Sequence, residues 1–190
     1  MNPSNNNKKL ITIDIVKANI YVLVGLVPII IIYLIPYYYV WKQQFTLDTI
    51  YRLLHSFHYY RFIFTIIVLF SAVVIHELIH GITWAIFAKQ GWKSISFGFK
   101  WQMLTPYCHC SEPLSLKHYI LGALMPGIIL GQLPAIIAII TGNIALLAFG
   151  IFFTLAAMGD YMIIYLLRNE NSKSTILDHD SEAGCWVFEQ

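Results

Sequence analysis

Two histidines four residues apart, with a glutamate beside the first, can hold a metal ion and work on the water it activates. The chain carries this arrangement at His76-Glu77-Leu78-Ile79-His80. On a helix, residues four apart share a face, so both imidazoles project the same way. Two neutral imidazole nitrogens at that spacing suit one Zn²⁺, and Glu77 lies where a general base for zinc-activated water is needed. A further protein ligand must come from elsewhere in the chain.

The elements that carry these residues are apolar. Of the 190 residues, 58% are hydrophobic and 12% charged, against roughly 45–50% and 25% in an ordinary soluble domain. The charges cluster between long uncharged runs, as in a chain whose solvent is lipid. A net charge of +2 and the lack of a basic patch interleaved with aromatics exclude nucleic acid as a partner. Four runs reach the length of about 20 residues that crosses a bilayer core: about Ile20 to Val40, Phe62 to Ala88, Ile120 to Ile140 and Ile144 to Leu167. The expected fold is an all-α membrane protein, a single domain over residues 1–190, with about four transmembrane helices and a small cytoplasmic β-hairpin between spans 2 and 3. The start, Met1 to Asn7, is polar and Asn-rich, and no small-residue cleavage site ends the first apolar run, which reads as a retained span.

Span 1 contains Pro28 and Pro36, which imply a kink or break, and ends in Tyr37-Tyr38-Tyr39-Val40-Trp41, an interfacial type of sequence. Span 3 carries Gly122, Pro126, Gly127, Gly131 and Pro134, read as packing positions, and only Thr141-Gly142-Asn143 separates it from span 4. Lys8, Lys9, Lys17, Lys89, Lys93, Lys100, Lys117, Arg168 and Lys173 fall on one side of this topology, and Lys42, Arg52 and Arg61 on the other. That asymmetry predicts a multi-pass protein of the cell membrane with both termini cytoplasmic. Trp92 to Phe99 alternates as a strand does, and Met103 to Cys108 could pair with it. The tail after Arg168 is acidic, with Asp178, Asp180, Glu182 and Glu189, and Cys185-Trp186-Val187-Phe188 could add an edge strand.

Depth points to the third ligand. His80 lies nine residues before Lys89, and Asp160, the acidic residue of span 4, lies eight before Arg168. Both sit about 12–14 Å inside the same boundary, at about 1.5 Å per residue. A carboxylate at that depth needs a partner, and a His₂Asp zinc site supplies one; Gly159 before it would allow close helix approach. Glu112 is the rival ligand. Cys108, Cys110 and Cys185 do not make a disulfide framework and read as reduced cytosolic thiols. His55, His58, His118 and His179 read as interfacial or solvated, and Met103, Met125, Met158 and Met162 as packing.

His76-Glu77-Leu78-Ile79-His80-Gly81 within a span resembles the site-2 protease type of intramembrane metalloprotease, in which a distant Asp on a later span completes the zinc site; the resemblance assigns that role to Asp160. The Asn-Pro-Asp-Gly type of motif of those proteases is absent, since Gly159 precedes Asp160 and Tyr161 follows it. The H-E-L-x-H-G run, Tyr107-Cys108-His109-Cys110 with Glu112-Pro113-Leu114, the Pro-rich third span, Gly159-Asp160 and the tail from Asp178 to Cys185 are closer to a bacterial family of small membrane proteins known as putative zincin peptidases. That resemblance covers about Phe62 to Phe188.

The function expected is that of a zinc metalloendopeptidase. Its substrates would be membrane proteins or peptides, cut in transmembrane or juxtamembrane segments. Glu77 is the catalytic candidate, and His76, His80 and Asp160 are the metal ligands. Tyr107, His109 and Glu112 are candidates for the substrate side, with His109 able to donate to an oxyanion and the hairpin edge able to pair with an extended substrate. The alternatives are a non-catalytic metal-binding membrane protein or permease, and an adaptor with an inert motif. The same donors also accept Fe, Mn or Co.

Overall fold

The computed structural model describes residues 8–46, 51, 59–101, 105–180 and 182–189. The chain is mostly helical. Its helices are α1 (Ile15–Ile29), α2 (Ile35–Trp41), α3 (Tyr59–Phe87), α4 (Leu116–Pro126), α5 (Leu133–Thr141), α6 (Ile144–Ala156) and α7 (Met158–Leu167). Among the described residues, three helical stretches are long and apolar enough to cross a membrane: Ile20–Gln44, Tyr59–Phe87 and Leu116–Thr141. Helices α6 and α7 make a fourth only if they count as one span, because they meet at a bend of 42°. The expected straight run from Ile144 to Leu167 is therefore broken, at Ala157, whose ψ of 4° leaves the helical range.

The prolines widen helices here rather than end them. Pro28 precedes a π-helical stretch, Ile30–Leu34, which runs into α2 with Pro36 in its first turn. Pro126 likewise precedes the π-helical Gly127–Gln132, and Pro134 opens α5. Each proline removes an N–H and crowds the carbonyl four residues back, and wider turns absorb the mismatch. The aromatic end of span 1 divides. Tyr38 and Tyr39 are exposed, but Tyr37 is fully buried and its hydroxyl donates to the Gly142 carbonyl at 2.7 Å, while Trp41 Nε1 donates to the Ile139 carbonyl at 2.8 Å. These two residues clasp the α5–α6 turn instead of anchoring in an interface. Gly142, at φ +73°, supplies the left-handed residue this turn requires, and the Asn143 side chain caps α6 by accepting from Leu146 N.

The described residues are mostly helical, as expected, but beside the expected hairpin they form a four-stranded antiparallel sheet that the all-α reading did not include. Strands β1 (Lys8–Thr12), β4 (Leu114–Ser115), β5 (Thr175–Asp178) and β6 (Gly184–Phe188) form one sheet in the order β1-β6-β5-β4. The Cys185 to Phe188 run, expected at an edge, is an inner strand between β1 and β5. Its alternation explains this: Cys185 and Val187 face the core beside Ile176, Leu167 and Cys110, all essentially inaccessible. The sheet gathers segments from before the first long helix, from between α3 and α4, and from after α7.

Strands β2 (Ile95–Lys100) and β3 (Thr105–Cys110) form the second sheet, the expected hairpin, pairing Ile95 with Cys110 and Lys100 with Thr105. Met103, at the expected start of its second strand, lies outside the described residues, as do His55, His58 and Arg52. The hairpin does not stand away from the helices. It runs back along α3, where a side chain at Gly81 would strike Phe97, Ile95 and Cys108.

Small residues seat the helices as expected for span 3. A Cβ at Gly122 would meet the Trp84 ring of α3, one at Gly127 the Tyr161 side chain of α7, and one at Gly131 the Thr154 backbone of α6. From α6, Gly150 approaches the other way, with the Ala135 N and Gly131 O atoms 2.6 and 2.7 Å from where its Cβ would be. Met158 fills the space above Gly25 between α1 and α7, and Met162 is buried, as packing residues. Gly159 departs from its expected role, since nothing lies within 4 Å of a Cβ there. Gly150→Ala is therefore expected to push α5 and α6 apart against rigid backbone, at about 1–3 kcal/mol, read as a lower thermal midpoint in detergent. Gly159→Ala is expected to leave that midpoint unchanged or to raise it by up to about 1 kcal/mol in stability, the helix-propensity gain.

Candidate metal centre

Helix α3 presents His76, His80 and Trp84 at intervals of four on one buried face. Helix α7 starts just after the bend at Ala157, and Asp160 stands in its first turn. The bend brings that turn against α3. His76 Nε2 lies 3.2 Å from Asp160 Oδ2, and His80 Nε2 lies 3.4 Å from Asp160 Oδ1. The three residues each offer one ligand atom within 4.8 Å of the other two, which makes them a group able to hold a metal ion. The two groups placed at equal depth by residue counting thus meet, although 84 residues separate His76 from Asp160.

The donors suit zinc. His80 Nδ1 is 2.9 Å from the Gly122 carbonyl. A carbonyl only accepts, so Nδ1 carries a proton there, and in the neutral ring it is Nε2, on the Asp160 side, that would face a metal. Two imidazoles and one carboxylate form a donor set of the kind catalytic zinc takes, with room for a further ligand. Glu77 is next to this group in sequence, and its carboxylate faces the Cys108 backbone N–H of β3.

A cavity of about 310 Å³ opens over these residues. His76, Glu77, His80 and Asp160 line one part of it, and Pro106, Tyr107, Cys108 and His109 of β3 line another. Tyr107 and His109, two of the three candidates for the substrate side, therefore share a cavity with the metal group. His109 Nε2 lies 3.6 Å from Asp180 Oδ1. Glu112, the third candidate and the rival ligand, is not brought to the cavity. Its carboxylate accepts from Lys89 N at 2.8 Å, Gln90 N at 3.1 Å and Ser94 Oγ at 2.7 Å, closing the turn that follows α3. The Ser94 hydroxyl, with those two N–H groups, holds the Glu112 carboxyl below its ordinary range.

The edge of β3 does not offer the free ladder expected for an extended substrate. In an antiparallel pair, alternate residues direct their N–H groups away from the partner strand. Of these on β3, Pro106 has no N–H, Cys108 N faces the Glu77 carboxylate and Cys110 N bonds Asp178 Oδ2 at 2.8 Å. The three cysteines are free thiols. Burial raises the Cys108 and Cys110 thiols and pushes Cys185 up to about 12.

Several residues at this site carried no functional reading in the sequence. Trp84 stacks on His80 at 5.1 Å between ring centroids, and Tyr119 stacks on Trp84 at 5.3 Å. The Tyr119 hydroxyl donates to Asp178 Oδ1 at 2.7 Å. His179, expected to be interfacial or solvated, lines the cavity with Asp178, Asp180 and Glu182 of the acidic tail. Among the described residues, His118 matches that expectation, exposed and stacked on Phe87. Trp84 was within reach of the same four-residue spacing as the histidines. Tyr119 and Asp178 were not, because no periodicity links α4 to β5.

None of the curated proteins compared with the chain matches it, and neither does any solved structure. One family does match, over residues 69–175, a stretch that includes the α3 histidines, Glu77, the hairpin and Asp160. Since the match spans more than half of the chain, the protein belongs to the putative zincin peptidase family.

Proposed function

We propose that this chain is a zinc-dependent membrane metallopeptidase in which His76, His80 and Asp160 hold the metal and Glu77 moves the proton. The observation that carries the reading is the convergence of three ligand groups from two separate helices, beside a glutamate and inside a cavity. Membership of a zincin family supports it. Zinc so held supplies Lewis acidity, which lowers the pKa of water and polarises a peptide carbonyl. Glu77 accepts a proton from the attacking water and delivers it to the leaving amine, with Cys108 N–H aiming its carboxylate. His109, with Asp180 behind it, is positioned to donate to the developing oxyanion. Burial of both imidazoles and their hold on Gly122 and Asp160 keep the ligands preorganised.

The substrates would be transmembrane or juxtamembrane segments, and the protein would cross the cell membrane four times, with α6 and α7 together as the last span. The β1-β6-β5-β4 sheet supports an even number of crossings, because it joins segments from before the first long helix, from between the second and third, and from after the last. The excess of Lys and Arg on that side supports a cytoplasmic location for it and for both termini. Exposed Phe97, Phe99 and Trp101 on and just beyond β2, beside α3, would then meet the membrane interface.

Three outcomes test this reading. Detergent-purified protein is expected to carry about one zinc per chain by elemental analysis, lost in His80→Ala and in Asp160→Ala; wild type prepared without chelators and found free of metal would reject it. Glu77→Gln is expected to keep the metal and to lower peptide hydrolysis about 10²–10⁴-fold, whereas undiminished hydrolysis would remove Glu77 from the mechanism. Epitope tags at the two ends are expected to be reached only from the cytoplasmic face, and a tag reached from outside would overturn the topology.

A further inference from the structure

We propose that Asp178 is a positioning residue of the metal centre, fixing both the His80 ring and the β3 strand that aims Glu77; the proposal rests on the zinc reading above. Asp178 ends β5 and pairs with Cys185 of β6. Its two carboxylate oxygens reach different elements: Oδ1 accepts from the Tyr119 hydroxyl at 2.7 Å, and Oδ2 accepts from Cys110 N at 2.8 Å.

The first arm leads to a metal ligand. The Tyr119 carbonyl accepts from Trp84 Nε1 at 3.2 Å, and the two rings stack within 14° of parallel. Trp84 in turn stacks on His80, 17° from parallel. One turn beyond Tyr119 on α4, the Gly122 carbonyl holds His80 Nδ1. Beside Asp160 and the edge of the His76 ring, the His80 ring thus meets a face held by Tyr119 and a carbonyl on the Tyr119 helix. The second arm leads to Glu77. Two residues before Cys110 on the same strand edge, the Cys108 N–H faces the Glu77 carboxylate. One half-buried carboxylate thus pins α4 and β3 together around the site.

A carboxylate is suited to this because it offers two acceptor oxygens to two converging donors. An amide can substitute, since its oxygen accepts from Cys110 N while its NH₂ donates to the Tyr119 oxygen. An alanine can do neither.

The test measures zinc affinity by chelator competition and the visible spectrum of the Co²⁺-substituted protein, for wild type, Asp178→Ala, Asp178→Asn and Tyr119→Phe. Asp178→Ala is expected to weaken zinc binding about 10–100-fold, as loss of an outer partner of a metal ligand does, and to shift the Co²⁺ bands. Asp178→Asn is expected to restore both towards wild type. Tyr119→Phe keeps the ring stack, loses one hydrogen bond and is expected to fall between them; it decides the matter if Asp178→Ala does not fold. Folded Asp178→Ala and Tyr119→Phe proteins with wild-type affinity and spectrum, even with lowered melting temperatures, would overturn the inference and leave the zinc reading standing. Wild-type protein that binds no metal would overturn both.

Discussion

A carboxylate set among long apolar helices demands a partner. Leaving Asp160 bare there would cost several kcal/mol, so its surroundings must answer it. Two imidazoles on α3 do so, at 3.2 and 3.4 Å. Much of the fold serves that meeting. The bend after α6 turns the first residues of α7 towards α3. Glycines at 122, 127, 131 and 150 let α3, α4, α6 and α7 approach closely enough for short polar side chains to touch. Lacking those approaches, His76, His80 and Asp160 would be separate buried liabilities rather than one group.

The extramembrane-type elements are fitted to the same place. Hairpin β2–β3 lies along α3 over Gly81 and lends its Cys108 N–H to Glu77. The sheet of β1, β4, β5 and β6 ties both ends of the described chain to the α3–α4 connection. Lys9 adds an ion pair to Glu170 across this junction. The cavity therefore has walls from the helices, from the hairpin and from the tail, and residues from Ile13 to Gly184 line it. A site built from so many segments depends on tertiary packing for its shape, and only the pairing of His76 with His80 on one face is carried by local helix geometry.

Hydrogen-bond satisfaction explains why the β3 edge is closed. Its outward N–H groups lie beside a buried helix face, where unpaired donors are costly; Asp178 takes that of Cys110, and Glu77 faces that of Cys108. Glu77 and Asp178 thus both stand against the same strand. The turn closed by Glu112 works similarly at the end of α3, where two backbone N–H groups and a serine hydroxyl find one carboxylate. Glu112, the rival ligand and a substrate-side candidate, is thereby held in that turn.

The amino-acid sequence by itself determined the features that local periodicity and the cost of charge in apolar surroundings dictate. The long apolar helices, the pairing of His76 with His80, the hairpin from Ile95 to Cys110 and the demand of Asp160 for a partner at the depth of His80 all belong to that class, because helix and strand repeats act over a few residues. Tertiary structure alone decided the rest. Gly159 stands against open space, the tail run at Cys185 is an inner strand, α6 and α7 part at Ala157, and Trp84, Tyr119 and Asp178 stand in a column behind His80. Each of these depends on which distant surface a residue meets, and β5 meets α4 only after the helices between them have packed. That contact leaves no pattern along the chain, so it emerges only when the apolar area and the buried polar groups of the whole fold are satisfied together.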